Sequence, residues 1–327
     1  MRKEHLPFIV CPKCKGDLIL HEVRKENGMS VESGTLWCTA CMERYDILRF
    51  IPRFVAVETY ANGFGLEWTK HARTQYDSYS GVKVSETRFF EETKWQRNLE
   101  GEVVLEVGSG SGRFTEHAAS TGAMIISTDL SYAVEANYAS NGGKPNVLIA
   151  QADIYKMPFR ENLFDKIICI GVLQHTPHVK EAFMVLPRYL KSGGSLVIDV
   201  YPNRGKIFNL ISLRRWARFF TKHISPEKLY SGCVQYIELM WPLVKFLDKM
   251  RGNKLIGLFL IPYYKQYGLS EKMLKEWALL DLFDILSATY EYPQTIKEVQ
   301  SWFRDANMGN IDVRYGYNGI EGRGIKP

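Results

Sequence analysis

Residues 103–114 read Val103-Val104-Leu105-Glu106-Val107-Gly108-Ser109-Gly110-Ser111-Gly112-Arg113-Phe114, and this stretch decides the fold. Apolar, mostly β-branched residues run straight into glycines at alternate positions, and a helical apolar pattern follows at once. That is a buried parallel strand turning through a glycine loop into a helix, a unit that cradles nucleotide-like ligands. A side chain at such glycines would block close approach of ligand to backbone, or would not tolerate positive φ. A dinucleotide-binding turn reads Gly-x-Gly-x-x-Gly. Here the sixth position is Arg113, and the third glycine falls one place early. Glu106 also sits inside the strand, two residues before the first glycine. A carboxylate there repels pyrophosphate and favours a cationic ligand.

Four landmarks follow in order. Residues 123–128 form a second strand ending at Asp129-Leu130, and residues 147–150 a third, followed by Gln151-Ala152-Asp153-Ile154. Residues 165–170 form a fourth, leading into Gly171-Val172-Leu173-Gln174-His175. Lys191-Ser192-Gly193-Gly194 then turns the chain into a fifth strand, residues 195–200. Over residues 88–201 and a closing stretch near the C-terminus, this series resembles the class I S-adenosylmethionine-dependent methyltransferases. The resemblance implies an α/β fold with a seven-stranded Rossmann-like methyltransferase sheet and S-adenosyl-L-methionine as donor. It assigns Glu106, Gly108, Ser109, Gly110 and Gly112 to the first cofactor motif, and Asp129, beside Leu130, to the ribose hydroxyls. Asp153, beside Ile154, falls where the family sets an acid against the adenine amino group, and Gly171 closes the fourth strand. The element before the first strand folds over the cofactor in this family. Gln75, Tyr76 and Arg88 could there meet the methionine carboxylate, while Phe64, Trp68, Phe89, Phe90 and Trp95 pack a lid onto the sheet. An Asn-Pro-Pro-Tyr motif is absent after the fourth strand, which argues against adenine-N6 methylation.

Ahead of this core, Cys11-Pro12-Lys13-Cys14 and Cys38-Thr39-Ala40-Cys41 form two Cys-x-x-Cys pairs with 23 residues between them. Each pair offers two sulfurs from one tight knuckle, eased by Gly16 in the first, and two knuckles complete a tetrahedron for structural Zn2+, the rival readings being disulfides or a redox dithiol. About 57 residues bury little core of their own, so the metal would supply much of the folding free energy. The segment resembles the zinc ribbon of the Trm112-like group, which occurs fused to or partnered with methyltransferases. Cys169 and Cys233 read as buried apolar residues.

The expected organisation is a zinc ribbon over residues 1–57, a linker and cofactor lid over 58–98, a methyltransferase core over 99–201 and 294–327, and a mostly helical substrate-cap insertion over 202–293. Such an insertion after the fifth strand lies over the substrate mouth. Between Arg204 and Tyr230 it holds seven basic residues (Arg204, Lys206, Arg214, Arg215, Arg218, Lys222, Lys228) against one acid, Glu227. Ile207, Phe208, Leu210, Ile211, Leu213, Trp216, Phe219 and Phe220 interleave at spacings of an amphipathic helix. Such a helix could lie peripherally on an anionic membrane, grip an acidic substrate or contact RNA. It could also bury its aromatic stripe against the sheet and show its arginines to water. Thr295 and Glu298 form a capping box for the last helix. Asp281, Asp284, Tyr290 and Tyr292 are left for substrate hydrogen bonding.

The net charge of +6 and hydrophobic content of 46% describe an ordinary globular chain. Neither a signal-type leader nor a window of ~20 apolar residues is present, which predicts a cytoplasmic location. Methyl transfer from an activated sulfonium needs alignment, and a neutral hydroxyl acceptor also needs a base. His175, after the fourth strand, is the candidate base, its ordinary pKa of about 6.5 suiting that work near neutrality. Asp199 and Tyr201 are secondary. The expected function is O-methylation of a small molecule, sugar or lipid-linked glycan. The alternative is an RNA methyltransferase using the ribbon and basic insertion, since ribbon-first class I domains also resemble certain ribosomal RNA guanine methyltransferases. A non-catalytic scaffold fits poorly with Glu106, Asp129 and Asp153 all in place.

Overall fold

In the computed structural model, residues 1–55, 61–203, 205, 213–250 and 253–327 are described. Glu58 of the expected linker lies outside them, as do Arg204, Lys206, Ile207, Phe208, Leu210 and Ile211 of the basic stretch. At the N-terminus, β1 (Leu18–Asn27), β2 (Ser30–Cys38), β3 (Arg44–Leu48) and β4 (Ile51–Pro52) make an antiparallel sheet in chain order. Ile9, Leu36 and Ile47 of this ribbon share one apolar core with Leu148, Ile154 and Met157. Val10 N donates to Pro158 O at 2.8 Å, Phe54 N donates to Gln151 O at 2.9 Å, and Phe50 stacks on Tyr138 with centroids 5.3 Å apart. The ribbon is thus docked along one edge of the larger sheet.

Next come α1 (Asn62–Lys70), α2 (Asp77–Ser80) and α3 (Val84–Thr93), which cross toward that sheet. Its strands are β5 (Val103–Val107), β6 (Met124–Asp129), β7 (Val147–Gln151), β8 (Phe164–Ile170), β9 (Leu190–Val200), β10 (Gly309–Tyr315) and β11 (Ile320–Ile325). They lie in the order β10-β11-β9-β8-β5-β6-β7, parallel from β5 to β9, with β11 antiparallel to β9 and β10 antiparallel to β11. Helices α4 (Arg113–Ala119), α5 (Ala133–Asn141) and α6 (Val179–Tyr189) make crossovers, and the covered parallel strands are buried along nearly their whole length. The chain winds from β5 out to β7, then returns to β8 on the other side. A crevice therefore opens at the carboxyl ends of β5 and β8. β9 begins at Leu190 rather than near 195, because Phe164 pairs with Leu190 and Lys166 with Ser195 across a register shift. The Lys191–Gly194 segment is a bulge within the strand rather than a turn before it.

The insertion folds as α7 (Leu213–Thr221), α8 (Pro226–Lys249), α9 (Asn253–Ile256) and α10 (Glu271–Ser287). Trp241, Val244, Trp277 and Phe283 sit in a core of its own, and buried Cys233 packs there; Cys169 is buried in β8. The chain re-enters the sheet through α11 (Ile296–Asp305), whose first turn carries the Thr295–Glu298 capping box. No described helix is long and apolar enough to cross a membrane.

α7 corrects the expectation of a buried aromatic stripe, because Arg218 and Thr221 are the side chains that face the protein. Arg218 donates to Ile285 O from Nε at 3.1 Å and from Nη2 at 2.9 Å, and pairs with Glu291. Thr221 Oγ1 donates to Leu286 O at 2.8 Å. Those carbonyls belong to the last turn of α10, where no intrahelical donor reaches them and a cation suits the helix dipole. With its polar side used as a C-terminal cap, α7 leaves Leu213, Trp216, Phe219 and Phe220 exposed.

Candidate active site

The glycine loop shapes one end of a cleft of about 2050 Å³. Gly108, Gly110 and Gly112 have φ of 76°, 54° and 92°. A Cβ on Gly108 would come 2.2 Å from Val172 Cγ2, and one on Gly112 would come 2.1 Å from Asn137 Oδ1. Conformation and close packing both require glycine at these two positions. Gly110 N donates to Asp129 Oδ2 at 2.8 Å, while Asp129 Oδ1 accepts from Ser131 N and Oγ at 2.8 and 2.7 Å. Oδ2 therefore keeps a lone pair for a second donor.

The loop is braced from beneath. Asn141 Nδ2 donates to Gly112 O at 3.0 Å, and the Tyr76 hydroxyl donates to Ser111 O at 2.6 Å. Tyr76 is thus a strut of the loop and not a carboxylate contact. Glu106 accepts from Thr115 Oγ1 and, at 2.9 Å, from Ser127 Oγ. Its Oε1 is buried with no hydrogen-bond partner among the described residues, and burial pushes its pKa up to about 7. Gln75 Oε1 is likewise buried and unpartnered, at the cleft wall.

Ser109, Asp129, Leu130, Ile154 and Gly171 face the cleft with the loop backbone. Glu106 and Gly112 lie behind it. Asp153 is not at the wall; its Oδ1 accepts from Tyr155 N at 3.0 Å and caps a 3-10 turn. Arg88 reaches the wall, but its Nε donates to Glu92 at 2.6 Å and its Nη2 to Asp199 at 2.7 Å. Burial opposes the Arg88 charge, yet Glu92 and Asp199 outweigh it and hold the guanidinium above its ordinary pKa. A buried cation takes protein carboxylates when they are in reach; these bonds use two of the five N–H groups of Arg88 and tie Asp199 to it. Asp199 also accepts from Gly171 N.

Two groups escaped sequence reasoning. Arg113 opens α4, faces the cleft and makes no hydrogen bond or ion pair among the described residues; burial lowers its pKa to about 10. Its signal was available, since a cation in the first turn opposes the helix dipole. Glu67 of α1 lines the same cleft, with Oε2 buried and unpartnered among the described residues, and burial first, then Asp284 and Asp281, raises its pKa well above the usual value. Burial also raises Asp281 to about 6 and Asp284 above its ordinary range.

His175 also lines the cleft, packed edge-on with Phe64 and Tyr201 at ring-centroid distances of 5.2 and 5.5 Å. Its Nδ1 is 2.9 Å from Tyr290 O. A carbonyl only accepts, so Nδ1 carries the proton and Nε2 of the neutral ring keeps its lone pair. Tyr290 and Tyr292 line the same cleft, and Tyr201 Oη donates to Asp284 Oδ2 at 3.5 Å.

At the ribbon, the Sγ atoms of Cys11, Cys14, Cys38 and Cys41 all lie within 4.8 Å of one another. Cys11 and Cys41 are 3.6 Å apart and Cys14 and Cys38 3.4 Å, too far for the ~2.05 Å of a disulfide. Gly16 N donates to Cys14 Sγ at 3.4 Å, as expected of a knuckle. Among the described residues this is the one group of such side chains close enough to share a metal ion.

Comparison with known proteins agrees with this geometry. Residues 105–198 match the methyltransferase domain family, and residues 2–48 match the Trm112p-like protein family. The tRNA U34 carboxymethyltransferase of Ruthia magnifica is 30% identical over 147 residues, covering 41% of this chain and 46% of that protein. The ubiquinone biosynthesis O-methyltransferase of Paracidovorax citrulli is 26% identical over 148 residues, covering 41% and 62%. The chain thus spans only part of the length of either curated relative. A solved complex of the Haloferax volcanii Trm112 methyltransferase activator with a methyltransferase superposes with a TM-score of 0.45 at 14% identity, covering 83% of this chain and 100% of that one. The chain therefore carries a methyltransferase domain joined to an N-terminal Trm112p-like region with a four-cysteine cluster.

Proposed function

We propose that this protein methylates a hydroxyl oxygen of a small molecule, sugar or lipid-linked glycan, using S-adenosylmethionine as donor and His175 as base. The observation that carries this reading is the Nδ1 contact to Tyr290 O, which leaves Nε2 as the acceptor at the cleft. When bound, the sulfonium donor supplies an already activated methyl group. The residues at the loop end suit such a ligand. Asp129 Oδ2 can take a ribose hydroxyl, Gln75 Oε1 can accept from the ammonium, and Arg113 is available to the carboxylate. At the other end, Nε2 of His175 takes the acceptor's proton as the oxygen attacks. Glu67, Asp281 and Asp284 offer hydrogen bonds to further hydroxyls of a polar acceptor, and Phe64 and Tyr201 exclude water around the ring.

Cys11, Cys14, Cys38 and Cys41 would hold structural zinc. Tetrahedral Zn–S bonds of about 2.3 Å put sulfurs ~3.8 Å apart, within reach of the observed spacings.

Incubation with labelled donor and a hydroxylated metabolite or glycan extract tests the reading. His175→Ala should bind donor normally by calorimetry and fail to turn over; a variant with normal turnover would sink the base assignment. A tRNA acceptor is the second reading, favoured by the relative named for tRNA U34 and by the basic insertion. It requires activity that nuclease abolishes and salt steeply weakens.

A further inference from the structure

An amphipathic helix on a protein normally buries its apolar face and shows its charges to water. α7 is seated the other way round. Arg218 and Thr221 cap the end of α10, while Leu213 (52% exposed), Trp216 (55%), Phe219 (58%) and Phe220 (68%) face outward. Leu213, Trp216 and Phe219 rim the mouth of the cleft, joined there by exposed Leu258. Arg214, Arg215 and Lys222 are exposed among them, with Lys222 Nζ 5.0 Å from the Phe219 ring, and residues 213–224 contain no acid. On α8 of the same cap, Leu239, Phe246 and Met250 are also exposed, with Lys245 and Lys249, but also Glu238 and Asp248, beside them in sequence.

Aromatic rings next to cations, with no acid within residues 213–224 of α7, match the headgroup layer of a bilayer. Rings settle at the polar–apolar boundary, and each cation gains from anionic lipid. We propose that α7 docks the mouth of the cleft onto a membrane surface rich in anionic lipid. The inference rests on the cap alone and goes beyond methyl transfer. If the acceptor carries an apolar tail, the same contact lets its polar end enter the cleft without leaving the bilayer.

Sedimentation of the full chain with vesicles tests this directly. Binding is expected to phosphatidylcholine vesicles containing phosphatidylglycerol, to fall as sodium chloride is raised, and to be absent with phosphatidylcholine alone. Phe220→Ser should weaken it roughly tenfold or more through lost apolar insertion. Arg215→Ala and Lys222→Ala should each weaken it about fivefold. All three side chains are exposed, so the unfolding temperature should not move, which separates a docking defect from misfolding. The proposal is overturned if wild-type protein ignores anionic vesicles at low salt, binds neutral ones equally well, or binds unaltered by these substitutions. Self-association or RNA capture that depends on Phe220 while vesicles are ignored would equally overturn it. None of these outcomes bears on donor binding, so methyl transfer stands or falls separately.

Discussion

At the glycine loop the cleft wall is residues 107–111 with Arg113 and Phe114, braced by Asn137, Asn141 and Tyr76. Elsewhere the wall is side chains delivered from α1, the turn after β8, the end of β9 and α10: Glu67, His175, Tyr201, Asp281 and Asp284. The first takes its shape from local conformation, and a single methyl group is enough to spoil it. The second takes its character from protonation states that exist only once distant segments have packed together. A shared donor with varied acceptors calls for this division, with a rigid loop for the one and an adaptable cap for the other.

The largest expected effect lies at the acceptor end. His175→Ala should lower turnover by roughly 10²–10⁴-fold, the usual contribution of a general base, with donor affinity held. A loss in donor affinity instead would move His175 to the other end of the cleft. Next is Gly112→Ala, which forces a left-handed residue and a clash with Asn137. Unfolding by urea should reveal a loss of roughly 2–4 kcal/mol, from strain and overpacking together. A cost below about 1 kcal/mol would mean the loop is adaptable after all.

The pH dependence tests the buried acid behind the loop. Glu106 titrates near about 7 in the fold, against an ordinary 4.5, because burial favours its neutral form. Between those values the native state binds more protons than the unfolded one. Its contribution to stability is therefore complete below the unfolded pKa and is lost as pH rises through the folded one. Thermal unfolding followed across that window should decline in the wild type and flatten in Glu106→Gln. A nearby cationic ligand would favour the ionised carboxylate, so donor affinity should rise over the same window.

The smallest effect is Glu67→Gln. A carboxyl that keeps its proton is mimicked by an amide, so the substitution should cost less than about 1 kcal/mol. A loss of several kcal/mol in a denaturation curve would show that Glu67 is ionised and paired.

Legibility from sequence follows the same division. The β5 stretch, the succession of strands along the chain, each Cys-x-x-Cys pair of the ribbon and the Thr295 cap are readable because each depends on neighbours within a few residues. Tyr76 and Arg88, which in sequence could meet a ligand carboxylate, in the fold brace the loop and pair with Glu92 and Asp199. Nothing local announces that β9 will bring Asp199 beside α3. Glu67 carried no signal at all, since only the closure of α10 over α1 buries it. The orientation of α7 was hidden for a related reason. Its apolar stripe is plain in sequence, but which face turns inward is decided by the open carbonyls at the end of α10.

Calorimetric titration of the full chain with S-adenosylmethionine tests the central claim most directly, because every role above assumes that the glycine loop seats this donor. Saturable binding to a single site, abolished by Gly110→Val and weakened by Asp129→Ala, is the predicted result. An absence of heat, or saturable binding of NADH in place of the sulfonium nucleoside, would contradict it.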